Sequence, residues 1–442
     1  MPHIWINTQS RKSIWLLIVI LTGLCASQYL GISALNLFFT LCAGIYMVLT
    51  ERVEDTVLAL FIALPMFNLF NANIGSTSMY YLFVFVFWYK YFRHYRGNIS
   101  RTKLLVLLCF LILRLTAGDI VSTAKWFVLF SVLVLTYRED CMDGQLEQIV
   151  KYMSISFIIA SLFGYFMLKS GRSLYTGGYV YNDGETTIRF AGLIGDSVFF
   201  SQFCALLVGA NLTLGCYHKK SLLRSVVLSA GIAFFCLLSF SKTGLILILA
   251  EVLVCVFWQI LENAKKKTTL IYSVLIILVC GAGVMWFVNY LISGSTGALI
   301  QNYLIRFSSN DLMTGRIEIW KHYGDLLLSS WRTLFCAMPQ SLFRGKFNAG
   351  GIHGLDRTHN IYIETVCAFG FIAAVFILIW LAYLIIDSVK QHDGLLNLIP
   401  IGIILASGMT VHGHFEFHYY FLVTIAVAFL TYQHDRCQRY FA

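Results

Sequence analysis

Long apolar runs separated by short polar breaks set the pattern of this chain. Crossing a hydrocarbon core takes about 20 apolar residues, and a backbone in lipid must satisfy its own hydrogen bonds, which a helix does. Dividing the sequence at its polar breaks predicts an all-α integral membrane protein of about fourteen transmembrane helices. The expected spans are 14–30, 32–50, 56–73, 78–93, 103–117, 120–136, 149–168, 197–216, 224–239, 241–261, 270–292, 361–388, 395–411 and 415–432. Arg11 and Lys12 precede the first run as in a signal peptide, but no small-residue cleavage site follows, so 14–30 reads as a retained helix. The two halves show no repeat, and 1–442 reads as one polytopic domain.

Two polar stretches break the rhythm: 169–196 and the much longer 293–360. A loop beyond about 15 residues is uncommon and tends to be functional. The second has a pattern of its own near 315–331. Ile317, Trp320, Tyr323, Leu327 and Trp331 recur at helical spacing, with Glu318, Lys321, Asp325 and Ser329 opposite and Thr314 as an N-cap. Such an amphipathic helix would lie on the outer leaflet or roof a cavity, putting Arg316 near headgroup depth.

Composition agrees with the pattern. With 58% hydrophobic and 12% charged residues and a mean hydropathy of +0.74, the chain is not a soluble globular protein. The twelve cysteines fall mostly in apolar runs and read as small apolar residues. The net charge of +10 follows the membrane rather than a nucleic acid. With the N-terminus inside, Lys90 to Lys103, Lys219, Lys220, Arg224 and Lys265 to Lys267 all become cytoplasmic, a positive-inside arrangement. The basic residues left on the outer side are therefore informative. Lys169, Arg172 and Arg189 lie in the first loop; Arg306, Arg316, Lys321, Arg332, Arg344, Lys346 and Arg357 lie in the second. They point to an anionic ligand there, or to solvated charges. Arg114 and Lys125 fall within spans, where a local pair with Asp119 plus snorkelling is the plainer reading.

Chemistry concentrates where the long loop re-enters the membrane, at Asp356-Arg357-Thr358-His359-Asn360-Ile361-Tyr362-Ile363-Glu364. Asn360 is a natural N-cap, and a helix N-terminus favours a bound phosphate and a neutral imidazole. His359 could then accept a proton, or simply bond a loop carbonyl. At the last outer turn, His412/Glu416 and His414/His418 are spaced i, i+4. A zinc site needs three or four converging ligands, and these two pairs diverge, so the cluster reads as polar lining and no metal is expected.

Four local patterns resemble the bacterial O-antigen polymerase and O-antigen ligase superfamily. Thr358-His359-Asn360-Ile361-Tyr362-Ile363-Glu364, followed by Gly370, looks like its His-Asn-x-x-Leu/Ile-Glu signature. Ser241-Lys242-Thr243-Gly244 is similar to its Ser-Arg-Thr-Gly, Thr314-Gly315-Arg316 with Trp320 to its Gly-Arg-x-x-x-Trp, and Arg189-Phe190-Ala191-Gly192 to its Arg-x-x-Gly turn. The resemblance covers about residues 185–420. It implies a GT-C-type helical fold in the bacterial inner membrane with its active site facing the periplasm. The implied donor is a glycan on undecaprenyl pyrophosphate, and the partners are membrane lipid and a chain-length regulator, with no cofactor, metal or nucleic acid. Arg189, Arg316 and Arg306 would stabilise the departing diphosphate, and His359 would orient or deprotonate the acceptor hydroxyl. Asn360, Glu364 and Lys242 would help bind substrate, although an ammonium at 242 lacks the planar fork of the family's usual arginine. The form of the His359 motif favours a polymerase over the ligase that loads lipid A-core. A transporter of lipid-linked glycan is the reading from another class; it would favour repeated halves and a midplane site.

Overall fold

The computed structural model describes residues 3–70, 78–96, 98–172, 179–182, 185–218, 221–263, 316–343, 357–390, 394–411 and 413–432. The span expected at 270–292, the loop stretches 293–315 (with Arg306 and Thr314) and 344–356, and His412 lie outside the described residues. In chain order the first elements are α1 (His3–Leu30), α2 (Ser33–Leu49), α3 (Val53–Ala63), α4 (Tyr80–His94), α5 (Arg101–Leu115), α6 (Ile120–Thr136), α7 (Asp140–Asp143) and α8 (Leu146–Lys169). A hairpin of β1 (Tyr179–Asn182) and β2 (Glu185–Ile188) precedes α9 (Ser197–Tyr217), α10 (Leu222–Leu238) and α11 (Lys242–Asn263). Then come α12 (Arg316–Leu328), α13 (Trp331–Phe335), α14 (Gln340–Phe343), α15 (Ile361–Phe369), α16 (Phe371–Val389), α17 (Gly394–Gly408) and α18 (Tyr419–Thr431).

The protein is a helical, multi-pass membrane protein. Six described helices are long and apolar enough to cross a membrane: Ser13–Leu30, Val53–Phe70, Leu146–Lys169, Ser197–Tyr217, Lys242–Leu261 and Phe371–Val389. Ser33–Leu49, Ile120–Thr136, Leu222–Leu238, Leu395–Gly408 and Tyr419–Thr431 are apolar but shorter. The expectation of an all-α chain needs one correction, the antiparallel hairpin that pairs Tyr179 with Ile188 and Asn182 with Glu185. Its strands are rich in β-branched residues and flank Asp183-Gly184, a pair that two-residue hairpin turns favour.

Helix α9 is the centre of the bundle. Its span is 89% buried, against 22% for the spans of α11 and α16, so it is enclosed by protein while those two face outward. It packs on α10, α11 and α17. Lipid gives helices no hydrophobic reason to associate, so small residues and interhelical hydrogen bonds carry the packing. Gln202 Nε2 donates to Ser407 Oγ (2.8 Å) and Asn211 Nδ2 to Ser154 Oγ (2.7 Å). At the C-terminal end of α9, Tyr217 OH donates to Asn397 Oδ1 (2.7 Å), and His218 Nε2 meets Tyr432 OH (3.2 Å).

Local chemistry sets several helix ends. Pro65 has no N–H to continue the ladder, and α3 passes into a 3₁₀ turn over Leu64–Phe70. Gly370, at φ 84°, divides α15 from α16 within what reads in sequence as one span, 361–388. One end of the bundle is tied by Lys103 with Glu139, Arg224 with Glu147 (2.7 Å) and Arg138 with Asp387 (3.2 Å). Opposite it lie the N-termini of α6, α9, α11 and α15.

Candidate functional site

The N-terminus of α15 is built by its own sequence. Asn360 Oδ1 accepts from the backbone N–H of Tyr362 (2.9 Å) and Ile363 (3.1 Å), so its side chain is committed to the cap. His359 before it sits at φ 45°, a left-handed conformation that a non-glycine residue holds only where its surroundings fix it. Thr358 Oγ1 donates to Asn360 O (3.2 Å), and Trp320 Nε1 of α12 donates to Thr358 O (3.2 Å). Arg357 Nη1 pairs with Glu416 Oε1 at 2.8 Å.

Helix α12 docks with Ile319, Tyr323 and Leu327 inward, a single i, i+4, i+8 stripe. Ile317, expected on that face, is 62% exposed, and Trp331 starts α13 at 74% exposed. Tyr323 and Leu327 are thus buried as the pattern expects, Trp320 is half-buried, and Ile319 takes the inward place expected of Ile317. Arg316, half-buried, opens the helix four residues before Trp320.

Glu364 is 1% exposed, and its Oε2 accepts the backbone N–H of Gly413 (2.5 Å) and of His414 (3.2 Å). It thereby holds the α17–α18 turn. That turn is not helical, because α18 begins only at Tyr419, so the expected i, i+4 placement of His414 and His418 is not formed. His414 Nε2 bonds Thr365 Oγ1 (2.7 Å) and Nδ1 bonds Tyr420 OH (2.7 Å), which also accepts from Trp126 Nε1 (2.6 Å). Burial pushes the His414 imidazole down to about 4; the Glu364 carboxylate opposes the shift and the Arg114 guanidinium adds to it. The ring is neutral at pH 7. Among the described residues no group of three His, Cys, Asp or Glu is arranged to hold a metal.

Arg114 also departs from expectation. Rather than snorkelling beside Asp119 it is fully buried, donating through Nη1 to Met338 O (2.5 Å) and Ala368 O (3.3 Å), with its guanidinium 4.9 Å from the centre of the Phe415 ring. Inward it finds the last-turn carbonyl of α15, which a cation stabilises. Asp119 caps α6, accepting from Ser122 N (3.1 Å) and Ser122 Oγ (2.6 Å). Hydrogen bonding to Ser122 and the nearby Arg114 charge outweigh the desolvation of Asp119 and hold its carboxyl below the usual carboxylate range.

The second half of the site forms where β2 leads into α9. Arg189 Nε donates to Ser239 O (3.0 Å) and Phe190 N to Leu238 O (3.0 Å), laying the segment along the C-terminal end of α10. Asn68 Nδ2 bonds Leu193 O (2.8 Å) and Ile194 O (3.0 Å), and Asp196 Oδ1 caps α9 through Val198 N (2.7 Å) and Phe199 N (3.1 Å). Gly192 stands at φ 56°, and a Cβ there would come within 2.6 Å of the Phe200 ring. After α10 the chain turns sharply at Phe240 (φ 50°) into Ser241, whose Oγ accepts from Ser201 Oγ (2.8 Å) and Gly244 N (3.3 Å). Lys242, half-buried, is the first residue of α11.

These pieces join. Thr410 Oγ1 donates to Thr243 Oγ1 (3.4 Å), linking the start of α11 to the turn that Glu364 holds, while Trp320 ties α12 to Thr358. A run of hydrogen bonds therefore connects the segments of Arg189, Lys242, Arg316 and His359 in one polar layer. Ser239, Thr410, Trp126 and Tyr420 help build it, and only the fold reveals them. The positive ends of α9, α11 and α15 face this layer, which suits an anion.

No curated protein and no solved structure matches the chain. Residues 226–378, from within α10 into α16, match the family model of O-antigen ligase, a segment that holds Ser241 to Gly244, Arg316, Trp320 and Thr358 to Glu364. Over that segment, about a third of its length, the chain is similar to the O-antigen ligase family.

Proposed function

We propose that the protein is an O-antigen polymerase of GT-C-like fold, moving glycan from undecaprenyl pyrophosphate to a hydroxyl of the next lipid-linked repeat unit at the periplasmic face of the inner membrane. The observation that carries this reading is the single hydrogen-bonded layer joining the four segments that bear Arg189, Lys242, Arg316 and His359. The acceptor oxygen attacks the anomeric carbon, the bond to the diphosphate breaks, and the hydroxyl proton passes to His359. Arg189 and Arg316 take up the charge that grows on the leaving diphosphate through the planar donors of their guanidinium groups. Lys242 adds a point charge from the start of α11. Asn360 and Glu364 act by positioning, since both side chains already hold backbone N–H groups. A chain-length regulator is the expected protein partner.

The second reading is the ligase that transfers finished polymer to lipid A-core, which the description of the matched family model favours. The glycolipid profile of a strain lacking the gene separates the two. Loss of a polymerase leaves core bearing a single repeat; loss of a ligase leaves polymer stranded on its carrier; loss of a transporter traps single units on the cytoplasmic leaflet. Arg189→Ala and Arg316→Ala should each lower turnover on the order of 10²-fold or more at unchanged membrane levels, and wild-type turnover in either would remove that arginine from the anion site. Reporter fusions should place 316–343 outside, and a cytoplasmic result there would end the topological argument.

A further inference from the structure

Glu251 lies nine residues past Lys242 on α11, roughly 13 Å along the helix axis from the polar layer. It sits inside a membrane span, is 4% exposed, and neither carboxyl oxygen has a hydrogen-bond partner among the described residues. Its surroundings are apolar. A Cβ built on Gly209 of α9 would stand 3.2 Å from Glu251 Oε2, beside Ile399 and Ile403 of α17. Among the described residues, the titratable groups that face it are two thiols, Cys236 of α10 and Cys255 one turn further along α11. Among the described residues the seam supplies the carboxylate with no cation and no N–H, and an uncompensated charge so placed is removed by taking up a proton. Ionisable residues within membrane spans are functional by default, and the site described above makes no use of this one.

We propose that Glu251 is an intramembrane proton-binding site, a neutral carboxylic acid held in the seam of α9, α11 and α17 and open to modification by an apolar carbodiimide. This inference does not depend on the proposed polymerase activity. In the modification, the carboxyl proton moves to a carbodiimide nitrogen while the carboxyl oxygen bonds the central carbon, giving an O-acylisourea with no leaving group; rearrangement then fixes the adduct as an N-acylurea. Release of the proton would place a bare charge against Gly209, so the packing of α11 on α9 is tied to proton occupancy. The same helix begins with Ser241 and Lys242.

The test is infrared difference spectroscopy of the full chain in nanodiscs at pH 7, wild type minus Glu251→Gln. A carbonyl band of a protonated carboxylic acid, present in the wild type and lost in the variant, is expected; a carboxylate band in its place overturns the proposal. A second measurement uses wild-type protein alone, treated with dicyclohexylcarbodiimide and mapped by peptide mass spectrometry. One adduct on the peptide carrying Glu251 is expected, and an unmodified peptide refutes the modification site.

Discussion

Replacing Gly370 by alanine should unseat the segment that roofs α15. Gly370 has φ 84°, and a Cβ there would lie 2.2 Å from Phe335 O and 2.6 Å from Phe335 C. Both sides of that contact are backbone, so no rotamer can relieve it, and the Phe335–Cys336 link must retreat by about an ångström to reach ordinary contact distance. The combination of φ 84° and ψ 160°, essentially a glycine-only region, alone costs roughly 1–3 kcal/mol for a residue with a Cβ. Retreat also breaks the bond from Met338 N to Cys367 O (2.8 Å) and pulls Met338 O away from the Arg114 guanidinium. Stranding buried groups of this kind costs about 1–3 kcal/mol each, which brings the total to roughly 3–9 kcal/mol. Gly324→Ala is the matched control, because nothing lies within 4 Å of a Cβ built in the middle of α12. There alanine should gain up to about 1 kcal/mol of helix stability. Thermal unfolding of the purified proteins in one detergent measures both. A Gly370→Ala protein melting with the wild type would show that Phe335 to Met338 does not rest on α15.

Glu364→Ala should strand the amides of Gly413 and His414 and destabilise the protein by about 2–4 kcal/mol, whereas Glu364→Gln keeps an acceptor and should lose much less. Equal melting of the two variants would place the α17–α18 turn elsewhere. The His414 imidazole is held down to about 4, so the unfolded chain binds the extra proton. Its contribution should be complete above an unfolded value near 6.5 and decline as pH falls from there toward 4, by about 3 kcal/mol in all. Denaturation followed from pH 7 to pH 4 checks this, and a His414→Gln protein with an undiminished slope would refute it.

The apolar runs made the membrane helices legible because lipid demands the same property along their whole length. What they hide are interruptions decided by contact. The run 361–388 has no polar break at Gly370, where a backbone oxygen from α13 excludes any side chain. Arg114 and Asp119 lie five residues apart and read as a local pair, but the partners of Arg114 are carbonyls more than 200 residues away in sequence. The histidines of the last turn fit a helical period that the chain does not follow, since Glu364 captures the amides of Gly413 and His414 ahead of α18. At the candidate site, caps such as Asn360 and Ser241 are local chemistry and visible in sequence. The joining of their segments through Ser239, Thr410 and Trp320 depends on tertiary contacts and has no local signature.

The shortness of α17 and α18 has a geometric consequence. At 1.5 Å per residue α18 spans roughly 20 Å and α17 roughly 22 Å, against about 31 Å for α9. Tyr217 with Asn397 and His218 with Tyr432 align the three helices at one end, and Gln202 meets Ser407 only five residues into α9. Ser407 near the end of α17 consequently lies roughly 8 Å below the first residue of α9, and the turn anchored by Glu364 climbs from there until His418 meets Phe199.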